Sequence, residues 1–239
     1  MAIASYKSAE LYPNSPLVEV VCEVRFPISL AVEGTRDKLY GKIRAQYPRI
    51  IFPGAIPGQP SQLQQYRFEK SDESAGVMLA VDRFSYYEKK YRGHQAFIAE
   101  MLRLYSVCEK SFALKQIERV GWRYINIIPF AREGKRLPLG RLLSVPQALP
   151  GDWIEPLEYL SLTTRTSAKD GTLTSKLETA IRKDTAQEAL ILDFDYGMTN
   201  AIEPARLKAT VIRAHNAARK AFESFITAEY RSYLRGEGI

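Results

Sequence analysis

Two aspartates separated by one residue stand late in the chain, in the stretch LILDFDYG (residues 190–197). Residues i and i+2 of a β-strand share a face, so Asp193 and Asp195 could share a hard divalent cation such as Mg²⁺. Such a centre would support metal-dependent hydrolysis, with Glu178 or Asp184 as a third carboxylate. The same alternation arises when acidic residues occupy the solvated side of a strand, and a lone D-x-D string is common. The pair is a candidate metal site with a structural alternative.

A second candidate is the stretch DRFSYYEKKYRGHQ (residues 82–95), in which basic and aromatic residues interleave. On a sheet surface such side chains could stack on bases and contact phosphates, and Tyr and Arg are equally favoured at protein interfaces. Alternation along a strand directs half of them into the core. We predict a binding site for a protein partner or, as the alternative, for nucleic acid. Its residues are Arg83, Tyr87, Lys89, Lys90, Tyr91 and Arg92.

A third charged set lies near the start of the chain, where Glu19, Glu23 and Arg25 share one side of the strand pattern LVEVVCEVRF. Two carboxylates four positions apart on a strand are separated by about 13 Å. Glycosidase pairs need about 5 to 9.5 Å. We therefore expect Glu23 and Arg25 to form cross-strand charge pairs, for example with Arg123, and not to act as a catalytic pair.

The histidines limit the catalytic options further, because the chain has only His94 and His215. A zinc centre with several imidazole ligands is excluded. His215 falls on an apolar helical stripe, which is typical of a hydrogen-bonded core histidine. No dinucleotide or phosphate-binding glycine loop, nucleophile elbow or zinc-protease motif occurs. The sequence favours a protein without a catalytic centre and without a cofactor.

Composition narrows the class of protein. The 239 residues carry a formal net charge of +7, which favours an anionic partner. The sequence shows neither a signal peptide nor a run of about 18 apolar residues, so we expect a cytoplasmic protein without a membrane segment. The two cysteines, Cys22 and Cys108, fall within a strand pattern and a helix pattern and are expected to be buried thiols.

The first half of the chain predicts four strands and two helices. Alternation marks a strand over residues 17–26, and a helix follows over residues 35–47, with Thr35 as its cap. The runs QLQQYRFEK and GVMLAVDRFSYYEKKY predict a hairpin after a proline-rich loop at residues 51–60. Helical spacing over residues 93–112 and the β-rich run IERVGWRYINIIPF complete a β-α-β-β-α-β order, which is the ferredoxin-like arrangement.

The second half predicts three more strands, in EYLSLTTRTSAKD, TLTSKLETAIRK and EALILDFDYG, and a long helix from about Glu203 to Leu234. The fold class is therefore α+β, with an antiparallel sheet. We place the two halves at residues 1–131 and 132–239. The connector between them lacks the composition of a flexible linker, so we expect one composite body.

Four stretches together carry a family resemblance: PNSPLVEVVCEVRF, GWRYINIIP, LILDFDYG and AHNAARKAFESFIT. This combination resembles an uncharacterised, sporadically distributed bacterial family of about this length, over nearly the whole chain. One departure is visible, since His94 stands where the family has a tryptophan after the glycine that opens the second helix. A sporadic distribution is typical of genes carried on mobile or defence islands, and this is an association only.

The residues and the resemblance together predict a non-enzymatic binding or accessory protein that acts through a protein partner. The resemblance implies an immunity or antitoxin-like component of a mobile or defence-type locus. The alternatives are a nucleic-acid-binding module that uses the basic and aromatic stretch, and a metal-dependent hydrolase centred on Asp193 and Asp195.

Overall fold

A nine-stranded antiparallel sheet organises the part of the chain that the computed structural model describes, which is residues 11–52, 65–144, 157–168 and 170–237. Hydrogen-bonded neighbours run antiparallel throughout. In chain order the strands are β1 (Leu17–Arg25), β2 (Arg49–Ile51), β3 (Tyr66–Glu69), β4 (Ala75–Ala80), β5 (Arg83–Glu88), β6 (Ile117–Pro129), β7 (Ser161–Ala168), β8 (Gly171–Ile181) and β9 (Glu188–Ile202).

The strand order across the sheet is β2-β3-β4-β5-β1-β6-β9-β8-β7, so β1 lies at its centre between β5 and β6. β6 and β9 are paired from Ile117 opposite Ile202 to Pro129 opposite Ala189, with an irregularity between Ile117 and Arg119. This long pairing makes the sheet continuous across the boundary that the sequence places at residue 131.

The helices form a layer on one face of the sheet. They are α1 (Leu30–Thr35), α2 (Asp37–Ile43), α3 (His94–Phe112), α4 (Leu139–Leu142), α5 (Leu207–Phe225), which follows a 3₁₀ turn at Pro204–Arg206, and α6 (Ala228–Leu234). Each of the six α-helices in the described part of the chain contributes apolar side chains to the two core clusters beneath them. The α+β class with an antiparallel sheet and a C-terminal helix is thus confirmed. We call the helix-covered side of the sheet the inner face and the other side the outer face.

Alternation in β1 explains why the sheet has one apolar face. Val20, Cys22 and Val24 are fully buried on the inner face, whereas the residues between them point outward and are only partly buried. Cys22 and Cys108 are free and buried, as the sequence predicts, and burial raises the pKa of both thiols.

The ferredoxin-like arrangement predicted for the first half is not confirmed. The observed order is β-α-α-β-β-β-β-α-β, because Arg49–Ile51 adds a short strand and the run from Gly76 to Tyr91 holds two strands. A turn at Val81 and Asp82 separates these two. The segment that follows β1 holds this turn in place. The carbonyl oxygens of Asp82 and Val81 accept hydrogen bonds from the backbone N–H groups of Phe26 and Ser29 at 3.0 and 2.8 Å.

Two helix predictions were wrong in detail. Thr35 does not cap the first predicted helix: it ends α1, and its hydroxyl donates to the Ala31 carbonyl at 2.7 Å. The helix predicted from Glu203 to Leu234 is interrupted after Phe225, where Thr227 caps α6 by accepting from the Tyr230 N–H at 3.0 Å. Ile226, between the two helices, forms a β-bridge with Leu143, so the connector between the halves holds the break in place.

Several predicted segments lie outside the described residues: most of the predicted N-terminal arm (residues 1–12), most of the proline-rich loop and residues 145–156 of the connector. Of the helices that are described, none has both the length and the apolar character needed to cross a bilayer.

Candidate functional site

The outer face of the sheet carries charged side chains at its centre, where β1, β6 and β9 lie side by side. The alternation that buries apolar residues on the inner face directs Glu23, Arg119, Arg123, Asp193 and Asp195 to the outer face. Since the described helices all pack on the inner face, they leave these charges uncovered.

A concavity of about 400 Å³ opens on this face, and we call it the charged concavity. Its floor includes a glycine and a serine, and charged side chains of both signs line it. The lining residues are Glu19, Val21, Glu23, Arg25, Gln65, Met78, Ser85, Arg119, Gly121, Arg123 and Asp195. Three carboxylates and three guanidinium groups therefore share one partly enclosed space.

Arg119 lies across two glycines at the centre of the charged concavity. Gly121 and Gly197 are direct cross-strand partners in β6 and β9. A Cβ atom on Gly121 would stand 2.5 Å from Nη1 of Arg119, and one on Gly197 would stand 2.5 Å from Nη2. The guanidinium thus rests against the backbone, where it donates to Oε1 of Glu23 at 2.6 Å and to both carboxylate oxygens of Asp195 at 3.1 Å.

The glycine pair gives the first testable prediction. Gly197→Ala is expected to lower the free energy of unfolding by about 2 kcal/mol, because the new methyl group displaces the guanidinium of Arg119 and weakens its bonds to Glu23 and Asp195. Chemical denaturation measures the loss. In an Arg119→Ala background the same substitution should cost far less, since the displaced group is gone. Equal losses in both backgrounds would show that Arg119 does not occupy the space above the glycines.

A second ion pair lies beside the first. Arg123 donates to Asp193 through Nε at 2.8 Å and Nη2 at 2.6 Å, a two-bond geometry that is strong for a guanidinium and a carboxylate. The hydrogen bonding to Asp193 raises the pKa of Arg123. Arg25 donates through Nε to Glu23 at 2.6 Å. The expected cross-strand charge pairing of Glu23 is confirmed, with Arg119 at 2.6 Å and Arg83 at 3.7 Å. The partner named as an example, Arg123, pairs with Asp193 instead. Arg25, which was also expected to pair across strands, pairs within its own strand.

Glu19 differs from the other carboxylates of the concavity. It is half-buried, and no hydrogen bond or ion pair reaches its carboxylate from the residues that the structure describes. Burial raises the pKa of its carboxyl, while the positive charges of Lys89, Arg67 and Arg123 oppose that rise. A perturbed, unpaired carboxyl in a concave site is a common property of functional residues.

The raised pKa of Glu19 predicts a dependence of stability on pH. A carboxyl with a higher pKa in the folded chain binds its proton more tightly when folded. Its contribution is therefore most favourable below the unfolded pKa of about 4.3 and is lost as the pH rises through the raised value. Glu19→Gln is expected to raise the free energy of unfolding by about 1 kcal/mol at neutral pH, because the neutral amide avoids the cost of partly desolvating an ionised carboxylate. Denaturation at several pH values tests this, and the gain should shrink as the pH falls towards about 4.

The six residues predicted to bind a partner or nucleic acid do not form one surface. Arg83 lies on the outer face, where Asp82 accepts from it at 2.8 and 2.7 Å. Tyr87 also points outward but is only 1% exposed, and Tyr91 packs edge-on against aromatic rings of the core. Three exposed basic residues follow the end of β5 at Glu88: Lys89, Lys90 and Arg92.

Tyr87 is buried by neighbours that alternation alone does not show. Its hydroxyl donates to Oε1 of Glu69 at 2.5 Å, and the guanidinium of Arg67 lies 5.3 Å from the centre of its ring. The ring stands directly over Gly76 of β4. Because Tyr87 is buried, its ring is not accessible for base stacking, whereas Tyr91 is partly exposed on the other side of the sheet.

Asp193 and Asp195 share the outer face, as the sequence predicts, but each is held by an arginine. The proposed third carboxylates have partners of their own, since Glu178 accepts from Tyr159 at 2.6 Å and Asp184 binds Arg182. Among the described residues no group of three His, Cys, Asp or Glu side chains is placed to hold a metal ion.

Both histidines lie on the inner face, away from the charged concavity. The rings of His94 and His215 stack at 4.6 Å, and His215 Nδ1 lies 2.7 Å from the hydroxyl oxygen of Tyr124. His215 is buried. The interpretation of His215 as a hydrogen-bonded core histidine is confirmed.

The sequence interpretation missed three residues that shape the concavity: Arg119, Gly121 and Gly197. A signal for the glycines was present, because an isolated glycine within a strand pattern indicates close approach of another group to the backbone. Comparison of the chain with protein-family models and with curated proteins finds no match. The geometry of the outer face is therefore the basis for assigning a function.

Proposed function

We propose that the protein is a non-enzymatic, cytoplasmic binding protein that holds a protein partner on the outer face of its sheet. The observation that carries this proposal is the charged concavity, a partly enclosed space on a sheet face that the described helices leave uncovered. Interfaces of this kind use Arg and desolvated charge pairs to fix the partner's position.

The arrangement of the charges supports binding over catalysis. Glu23 and Asp195 are tied to arginines, so they are not placed as a free acid and base. General acid-base catalysis most often uses histidine, and both histidines lie on the inner face. The family resemblance adds the proposal that the partner belongs to a mobile or defence-type locus, in which this protein serves as an immunity or antitoxin-like component.

Site-specific photocrosslinking in cells tests the proposed function. A photoreactive residue placed at Met78, which lines the concavity, should give a protein adduct of fixed mass that resists nuclease treatment. The matched control is the same group at Lys220, which is exposed on the helix layer. A nuclease-sensitive adduct, equal adducts from both positions, or none from Met78 would contradict the proposal.

A further inference from the structure

Apart from Glu19, the carboxylates at the charged concavity are paired with arginines, and two of these arginines keep unused donors. Glu23 accepts from both Arg25 and Arg119, Asp195 accepts from Arg119, and the neighbouring Asp193 accepts from Arg123. Each of these three carboxylates is thus bound by at least one guanidinium group, although both bonds to Glu23 go to Oε1 and, within the described part of the chain, its Oε2 has only Arg83 at 3.7 Å.

The arginines, in contrast, keep unused N–H groups. Arg25 is engaged only through Nε and Arg123 only through Nε and Nη2, so the remaining nitrogens have no partner among the described residues. The two side chains are 40% and 44% exposed, and both line the concavity. A guanidinium with free N–H groups at a surface binds carboxylate or phosphate oxygens, often through two parallel hydrogen bonds.

We propose that the charged concavity recognises an acidic segment of the protein partner, with carboxylates of that segment accepting from Arg25 and Arg123. This inference rests on the proposed function, because it names the chemistry of the partner at the same surface. The excess of basic residues in the chain as a whole acts in the same direction by attracting an acidic partner before contact.

Discrete carboxylates fit the concavity better than a nucleic-acid backbone does. Single-stranded nucleic acid is bound on aromatic rings that stack on its bases, and none of the described residues that line the concavity is aromatic. Glu19, Glu23 and Asp195 also lie among the arginines, and they would repel a continuous row of phosphates. An acidic peptide can place its carboxylates at the arginines and leave neutral residues opposite the acids.

Glu19 sets the specificity of this surface. Its unpaired carboxylate lies within the electrostatic influence of Arg123, so when ionised it repels an acidic ligand and competes for that guanidinium. Glu19→Gln is expected to tighten binding of an acidic ligand several-fold at neutral pH, and to change it less in acid, where the carboxyl is protonated.

Fluorescence anisotropy with the full chain tests the inference. The probe is a labelled peptide of alternating glutamate and glycine, compared with a lysine-glycine peptide and with an oligothymidylate. Arg25→Gln is expected to weaken binding of the glutamate peptide about tenfold, or about 1.4 kcal/mol. Arg25 suits the test because Glu23 keeps its bond to Arg119 when Arg25 is replaced. Arg206→Gln, which alters an exposed arginine outside the concavity, is the matched control and should leave binding unchanged.

The outcomes separate this inference from the proposed function. Binding of the glutamate peptide that falls in Arg25→Gln but not in Arg206→Gln supports it. No binding of that peptide, equal binding by both variants, or preference for the oligothymidylate overturns it. If the Met78 crosslink to a protein forms regardless of Arg25→Gln, the outer face still binds a partner but not through acidic recognition. If that crosslink never forms, the proposed function itself fails.

Discussion

Trp122→Ala is expected to lower the free energy of unfolding by about 4 kcal/mol, the loss usually seen when a large aromatic residue is removed from a core. Trp122 lies on the inner face of β6 and is 0% exposed. Its ring packs against three other rings: Phe97 of α3 at 4.9 Å between ring centres, His215 of α5 at 5.0 Å and Tyr124 of β6 at 5.8 Å. The substitution would leave a cavity where α3, α5 and the sheet meet, and because these elements are held by their other contacts, they cannot move together to fill it.

A second variant at this position separates packing from hydrogen bonding. The indole Nε1 of Trp122 is buried and has no hydrogen-bond acceptor among the described residues. Trp122→Phe removes that unpaired N–H together with part of the ring, so we expect a loss of only about 1 kcal/mol. Urea denaturation of both variants gives the comparison. If Trp122→Ala and Trp122→Phe lowered the free energy of unfolding by similar amounts, the indole N–H would have to contribute a stabilising hydrogen bond, which contradicts the expectation.

The inner face could be predicted from the sequence because its physical cause is local. In β1 and α3 the spacing of apolar residues alone determines which side is buried, and Phe97, Met101, Leu104, Cys108 and Phe112 are all buried as the helical spacing predicts.

Elements fixed by distant contacts could not be predicted in the same way. Apolar residues occur on both sides of Val81 and Asp82, but the buried positions shift by one residue there, from Val77 and Leu79 to Phe84 and Tyr86. The prediction of a single strand over this run overlooked that shift in phase. The turn itself depends on Phe26 and Ser29, which are more than fifty residues away in sequence. The break at Ile226 likewise depends on pairing with Leu143. The length of the last helix was therefore beyond local reasoning, whereas the change of phase at Val81 and Asp82 was a local signal for the additional strand.

The candidate site also combines features that the local sequence determines with features that depend on distant contacts. Alternation correctly directs Glu23, Asp193, Asp195 and Tyr87 to the outer face, but it does not determine which of them is free. Exposure depends on neighbouring strands. Arg119 reaches Glu23 and Asp195 only because β6 and β9 place two glycines opposite each other, and register of that kind is a tertiary property.

The contact between Tyr87 and Gly76 leads to the second large prediction. Gly76→Ala is expected to destabilise the protein by about 3 kcal/mol, at the upper end of the usual cost of overpacking. A Cβ atom on Gly76 would stand 2.7 Å from Cε1 of Tyr87 and 2.8 Å from the carbonyl oxygen of Phe68. The backbone oxygen cannot move aside as a flexible side chain can, so the ring of Tyr87 would be pushed out.

Displacing Tyr87 also removes a hydrogen bond from a buried acid. Glu69 is 2% exposed and accepts from the Tyr87 hydroxyl, so moving the ring leaves its carboxylate with fewer donors in a site that water does not reach. Gly41→Ala is the matched control, because nothing lies within 4 Å of a Cβ atom there and Gly41 is within α2. It should stabilise the protein by up to about 1 kcal/mol through its helix propensity. Thermal and urea denaturation of both variants tests the pair, and a Gly76→Ala protein as stable as the parent would mean that Tyr87 does not lie against β4.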